Sequence, residues 1–208
     1  MNADGRLTVF KIGGSLLTLP DLRCRLESIL SRFANKRRLL VVGGGQVADV
    51  VRRWETVHAI SDEAAHWLAL RAMSLNEAFL HELLPDTVLV SDRHEIHAAW
   101  TSGLVPILWS ECFLRTEEST GDLSLPHDWS VTSDSIAAWV AHRLNGQSLI
   151  LLKSADLPSG KALDEAANAG LVDDHFPVAA AELSVSWINV QSDPRKLVAW
   201  MSGVLASG

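Results

Sequence analysis

Two glycine runs carry the residues best placed to do chemistry, Lys11-Ile12-Gly13-Gly14-Ser15 and Val41-Val42-Gly43-Gly44-Gly45, each following a short apolar stretch. A glycine has no Cβ, so backbone N–H groups in such a loop can come close to a bound anion. Loops of this kind at strand ends open into helices whose N-termini favour negative charge. Three glycines in a row exceed what a tight turn requires. No Gly-x-x-x-x-Gly-Lys-Ser/Thr sequence occurs, so neither run is a Walker loop. The lysine precedes the glycines instead. Lys11 stands two residues before Gly13, which aims an ammonium group at whatever anion the loop holds. Phosphoryl transfer has a direct use for that placement, because its catalysis is mostly positioning and charge neutralisation. Asp134, in Val131-Thr132-Ser133-Asp134-Ser135-Ile136-Ala137, is the third candidate. It falls in the first turn of a helix, where a carboxylate also complements the dipole. Beside Lys11 it would hold the ammonium in place and help recruit the magnesium that accompanies a nucleotide.

Alternating elements must position these groups. Leu7–Ile12 has β-branched and aromatic residues in period two and reads as a strand. Leu22, Leu26, Ile29, Leu30 and Phe33 form one stripe of a helix over Asp21–Phe33. Leu39–Val42 is wholly apolar, as expected of a strand covered on both faces. Val47, Val50, Val51 and Trp54 continue with helical period, and Ser61-Asp62-Glu63 announces a second helix. Strands are predicted at Thr87–Ser91, Leu104–Trp109, Ser148–Leu152 and Val185–Val190. Further helices are predicted at His94–Ser102, Ser133–Leu144, about Leu163–Ala169, and Pro194–Leu205 with its proline at the start. Ser119–Trp129 is polar and broken by Gly121 and Pro126, so it reads as a surface excursion or short hairpin. Strands alternating with helices imply an α/β fold, a mostly parallel sheet with helices on both faces.

Composition bounds the rest. The 208 residues, 48% hydrophobic and 21% charged, suit one soluble domain spanning the whole chain. A net charge of −7 argues against general nucleic-acid binding. No apolar run approaches the roughly 20 residues that span a bilayer, and the N-terminus lacks the apolar core of a signal peptide, which points to the cytoplasm. Two cysteines, Cys24 and Cys112, make no disulfide framework or zinc cluster. His94, His97, His127 and His175 show no metal-ligand spacing. His66, between Ala65 and Trp67, reads as a packed, hydrogen-bonded helix residue.

The two glycine runs, Thr132-Ser133-Asp134-Ser135-Ile136-Ala137 and Leu149-Ile150-Leu151-Leu152-Lys153, in this order, resemble the amino acid kinase superfamily. The resemblance spans about Leu7 to Leu205 and implies an αβα sandwich around a mainly parallel sheet of about eight strands. It implies that Lys11 contacts the transferred phosphoryl group, that Asp134 organises the charged groups, and that Lys153 is a second charge stabiliser. Gly13, Gly14 and Ser15 would cradle the phosphates of ATP, with Asp156 on the nucleotide side. Gly43, Gly44, Gly45 and Ser133 would hold the acceptor. Gly43 to Arg52 and Ala65 to Met73 look like the subgroup acting in methanofuran biosynthesis on an aminomethylfuran methyl phosphate; this puts Asp49 and Arg52 at the acceptor. ATP, magnesium and a homodimeric or larger assembly are implied with it.

Two loops depart from the family pattern. Asp156-Leu157-Pro158 stands where an Asp-Gly pair is usual, and Gln191-Ser192 replaces an expected Asn-Gly. Both bear on the nucleotide pocket, so a nucleotide-binding sensor or assembly protein of the same fold stays open. So does a dinucleotide-binding oxidoreductase, since Gly43-Gly44-Gly45-Gln46-Val47-Ala48 satisfies Gly-x-Gly-x-x-Ala. Its ribose-binding acid, expected to end a strand about 20 residues on, would fall at Asp62 or Glu63, where a helix begins.

Overall fold

Strands covered on both faces are apolar at successive positions, and alternate side chains enter opposite layers. That rule organises the molecule, a computed structural model describing residues 4–120, 124–158 and 162–200. In β1 (Asp4–Ile12), Leu7 and Val9 join one core cluster while Phe10 and Ile12 join the other. β2 (Lys36–Val42) divides Leu39 and Val41 from Leu40 and Val42 in the same way, and β5 (Ser148–Lys153) divides Leu149 and Leu151 from Ile150 and Leu152.

Helices close both layers. α1 (Leu22–Ser31) supplies Leu22, Leu26, Ile29 and Leu30 to one cluster, the stripe expected from its sequence. α2 (Gly45–His58) leads to α3 (Asp62–Leu83), whose Ser61 cap accepts a hydrogen bond from the Ala64 N–H at 3.3 Å. β3 (Thr87–Val90), α4 (Arg93–Thr101), β4 (Val105–Leu108), α5 (Ser110–Thr120) and α6 (Ser133–Arg143) follow, and α4, α5 and α6 fill the other cluster. After β5 come two short helices, α7 (Leu163–Asn168) and α8 (Phe176–Ala179), then β6 (Ser184–Asn189) and β7 (Val198–Trp200).

The sheet has seven strands among the described residues, in the order β3-β4-β2-β1-β5-β6-β7, parallel throughout except for β7. β1 therefore lies at its centre, and the glycine runs lie side by side at the carboxyl ends of β1 and β2.

Three expectations are corrected. The helix predicted at Pro194–Leu205 is replaced over Val198–Trp200 by an antiparallel edge strand, because Trp200 packs on Phe176 and Trp187 in the core; residues 201–205 lie outside the described residues. α5 went unpredicted, since its buried residues, Ser110, Phe113, Leu114 and Glu117, include only two apolar ones. It extends to Thr120, so the polar excursion starts later than Ser119; residues 121–123 lie outside the described residues, and 124–129 form no strand.

Candidate active site

Strand register delivers the two lysines to one place. Lys11 continues the face of Leu7 and Val9, and Lys153 continues that of Leu149 and Leu151, so both point into the layer that holds α6. Lys11 pairs across the ladder with Leu151, which sets Lys153 two residues beyond it on the adjacent strand. Between them stands Asp134. Its Oδ1 lies 2.9 Å from Lys11 Nζ, and its Oδ2 accepts a hydrogen bond from Lys153 Nζ at 2.7 Å. Lys153 also donates to the Leu171 carbonyl at 2.9 Å.

Lys11 and Asp134 are buried, and Lys153 is partly buried. Burial alone would raise the Asp134 carboxyl, but the ammonium groups of Lys11 and Lys153 outweigh it and hold the carboxyl below its ordinary value. For Lys153, burial and the nearby Lys11 outweigh the attraction of Asp134 and bring the ammonium down to about 8. Two cations and one anion leave the cluster with net positive charge, poised for an anionic group.

Asp173, which local sequence reasoning did not single out, fixes where Asp134 stands. Its carboxylate accepts hydrogen bonds from the Thr132 N–H at 2.9 Å, the Thr132 hydroxyl at 2.7 Å, the Ser135 N–H at 3.1 Å and the Ser135 hydroxyl, clamping the first turn of α6. Burial and the neighbouring Asp134 raise its carboxyl above the ordinary value.

The two glycine loops touch. A Cβ on Gly14 would lie 2.3 Å from the Gly45 nitrogen and 2.8 Å from the Gly43 oxygen, and Gly45 itself has a φ of +50°. Backbone against backbone at that distance admits only glycine. The Gly13 and Gly43 N–H groups donate to the Leu152 and Ile12 carbonyls at 2.8 Å, so these two glycines shape the loops rather than offer donors to a phosphate. From α3, the buried Asn76 amide donates to the Gly43 and Gly44 carbonyls at 2.8 Å each, a brace the sequence reading did not include.

A cavity of about 230 Å³ opens beside the loops and reaches Lys11, Gly14, Gly44, Gly45, Asp49, Arg52 and Ser133. The structure thus gathers most of the predicted acceptor residues with the first lysine. Arg52 lies over the Trp129 ring at 4.4 Å, and Trp129 donates to Glu55. Gly13, Ser15, Lys153 and Asp156 do not line this cavity. The Ser15 and Ser154 hydroxyls are 3.1 Å apart, and Asp156 accepts from Asn189 at 3.0 Å. Asn189 in turn accepts from the Gln191 and Ser192 N–H groups, so the two departing loops are tied to each other.

His66 is buried and lines the cavity, yet its Nε2 has no hydrogen-bond partner among the described residues, unlike the bonded packing residue expected. Asp134 does not fit the expected magnesium role. Each of its oxygens already faces an ammonium, and among the described residues no three His, Cys, Asp or Glu side chains gather as a metal site. The ion that accompanies a nucleotide would be held through phosphate oxygens.

An ammonium pair at the carboxyl edge of a parallel sheet, facing two apposed glycine loops, has the charge and placement that phosphoryl transfer uses. A family profile described as the Amino acid kinase family matches residues 6–157. The chain belongs to that family and is a small-molecule kinase. It is 28% identical over 186 residues to the "[5-(aminomethyl)furan-3-yl]methyl phosphate kinase" of Methanocaldococcus jannaschii, the match covering 82% of this chain and 81% of that one. Its fold is that of the UMP kinase of Ureaplasma parvum, with TM-score 0.62 and 15% identity over 91% of this chain and 92% of the other. The aspartate kinase of Synechocystis superposes with TM-score 0.65 and 15% identity, covering 94% of this chain and 40% of that larger one. The dinucleotide alternative lapses, since Asp62 and Glu63 open α3 instead of ending a strand.

Proposed function

We propose that the protein transfers the γ-phosphoryl group of ATP to a phosphomonoester, of the kind named for the M. jannaschii relative, giving a diphosphate. The observation that carries this is the Lys11–Asp134–Lys153 cluster, whose Lys11 borders a cavity that Arg52 also lines. An acceptor phosphate oxygen attacks the γ-phosphorus in line; the bond to the β,γ-bridging oxygen breaks, and ADP leaves with its electron pair. Lys11 and Lys153 neutralise charge on the moving group, and Asp134 keeps the two ammonium groups apart and aimed. Gly14 and Ser15, with Gly13 shaping the turn and Asp156 at the rim, bear on the nucleotide side. Gly43, Gly44, Gly45, Ser133, Asp49 and Arg52 bear on the acceptor side, with the Arg52 guanidinium suited to a phosphate.

Magnesium accompanies the nucleotide in this reading. Self-association is part of it too, supported by the exposed Leu75 and Phe79 on α3. No helix among the described residues is long and apolar enough to cross a membrane.

The test is a screen of phosphomonoesters and amino-acid-like carboxylates with ATP, with phosphorus NMR of the products. Formation of a diphosphate from a monoester is the expected result. An acyl phosphate, or turnover of carboxylates alone, would contradict the acceptor class.

A further inference from the structure

Peptide units in a glycine run can turn over at little steric cost, so a run that does chemistry needs something to fix which way its N–H groups face. At the second run that group comes from α3. His66, Leu70 and Met73 of this helix line the cavity, and Asn76 continues their face one turn beyond Met73, buried behind the loop. Its side-chain nitrogen donates to the Gly43 and Gly44 carbonyls at 2.8 Å each. Two carbonyl acceptors decide which end of the amide is the nitrogen.

In a trans peptide the N–H points away from the carbonyl. With the Gly43 and Gly44 carbonyls turned to α3, the N–H groups of Gly44 and Gly45 face the other way, toward the first loop. A Cβ on Gly14 would lie 2.3 Å from the Gly45 nitrogen. Gly14, Gly44 and Gly45 all line the cavity, and among the described residues no acceptor takes any of their three N–H groups. The backbone alone does not enforce this orientation. Gly45 has a φ of +50°, and half a turn of the Gly44–Gly45 peptide would bring it to about −130°, a region open to any residue. That turn would take the Gly44 carbonyl off Asn76 and point the Gly45 N–H at α3.

We infer that Asn76 is a positioning residue for phosphoryl transfer. By holding two carbonyls it aims the Gly44 and Gly45 N–H groups into the cavity, at the phosphate oxygens where the acceptor and the moving group meet. This rests on the kinase reading given above and adds to it what orients the second loop. Asn76 does not line the cavity, so it acts through the loop alone. Donors fixed in advance stabilise developing charge without reorganising during the reaction. An ionised aspartate has the same shape but only acceptors, so Asn76→Asp favours the turned-over peptides, whose N–H groups it would accept.

Nuclear magnetic resonance reads these N–H groups directly. Gly14, Gly44 and Gly45 are the three glycines in the chain that follow another glycine. Labelling with glycine carrying both carbonyl carbon-13 and nitrogen-15, and selecting amides joined to a labelled carbonyl, therefore isolates their signals. The probe is magnesium ADP with aluminium fluoride, which mimics a phosphoryl group in flight. In the wild type all three signals should move when the probe is added. In Asn76→Asp, checked for folding by circular dichroism, the Gly44 and Gly45 signals should be displaced beforehand and stay put with the probe, and kcat should fall about 100-fold or more. If that variant does not fold, Asn76→Ala, in which a water can take the place of the amide, should show the same two signals broadened by exchange and insensitive to the probe. Signals that respond alike in wild type and variant, or a kcat close to that of the wild type, overturn the role of Asn76 and leave the kinase reading standing. A wild type in which Gly14 responds and Gly44 and Gly45 do not removes the second loop from the transfer, and Asn76 with it. No response from any of the three contradicts the kinase reading itself.

Discussion

The transfer end of the cavity and its acceptor end are built in different ways. At the transfer end, Lys11 and Asp134 are buried, Lys153 is partly buried, and the charges answer one another: Lys11 and Lys153 share Asp134, and Asp173 clamps the turn that carries it. The placement comes from two strands in register and the first turn of α6. At the other end Asp49, Arg52, Asp62 and Asp128 are exposed and sit on helix faces or a loop, and His66 is buried against the His127 ring with no hydrogen bond to its Nε2. On the proposed reading, the difference teaches that transfer is set by the sheet and the first turn of α6, while the choice of acceptor is left to side chains that can change without disturbing it.

Substitutions should separate the two ends. Lys11→Ala is expected to lower kcat by about 100-fold or more while acceptor affinity changes little, because one preorganised charge is lost from the transition state; steady-state kinetics against both substrates would show a large acceptor effect if the division is wrong. Gly14→Ala forces a Cβ against the Gly45 backbone and should cost about 1–3 kcal/mol of stability together with most of the activity. Denaturant melts of the variant check the first part. At the other end, Arg52→Ala should raise the acceptor KM about tenfold and leave kcat nearly intact, as expected for one exposed phosphate partner.

Titration gives smaller effects. Lys153 loses its proton as pH rises through about 8, so kcat/KM for ATP should decline above that pH. In Lys153→Arg, whose guanidinium stays charged, the decline should vanish from that range. Glu77 offers a buried carboxyl without cations. Burial pushes it up to about 8, with only N–H and hydroxyl groups of Ser110 and Ser74 to oppose the shift. A carboxyl raised above its unfolded value of about 4.5 adds stability that is complete below that pH and is lost as pH climbs through 8. Melting Glu77→Gln across that range should show this slope removed and activity kept.

Much of the transfer end was legible in the sequence, and physical reasons explain which parts. A strand covered on both faces must be apolar throughout, so the lysines that end β1 and β5 stand out, and runs of glycine have few other uses. Asn76, Asp173 and the stacked pair of His66 and His127 left no such trace, because each matters through a partner tens of residues away. Nor does spacing show that Gly13 and Gly43 give their N–H groups to the sheet, or that Asp134 is fully occupied by two lysines. β7 was missed because three residues carry too short a pattern to oppose a helix reading that Pro194 opens; its buried Trp200 decides the matter through the tertiary core.

A crystal structure with a non-hydrolysable ATP analogue tests the central claim most directly. The γ-phosphate should lie within hydrogen-bond reach of both Lys11 Nζ and Lys153 Nζ, with the phosphate chain passing over Gly14. A triphosphate seated elsewhere, for instance in the basic cleft of Arg6, Arg37 and Arg93 at the amino ends of the strands, would contradict it.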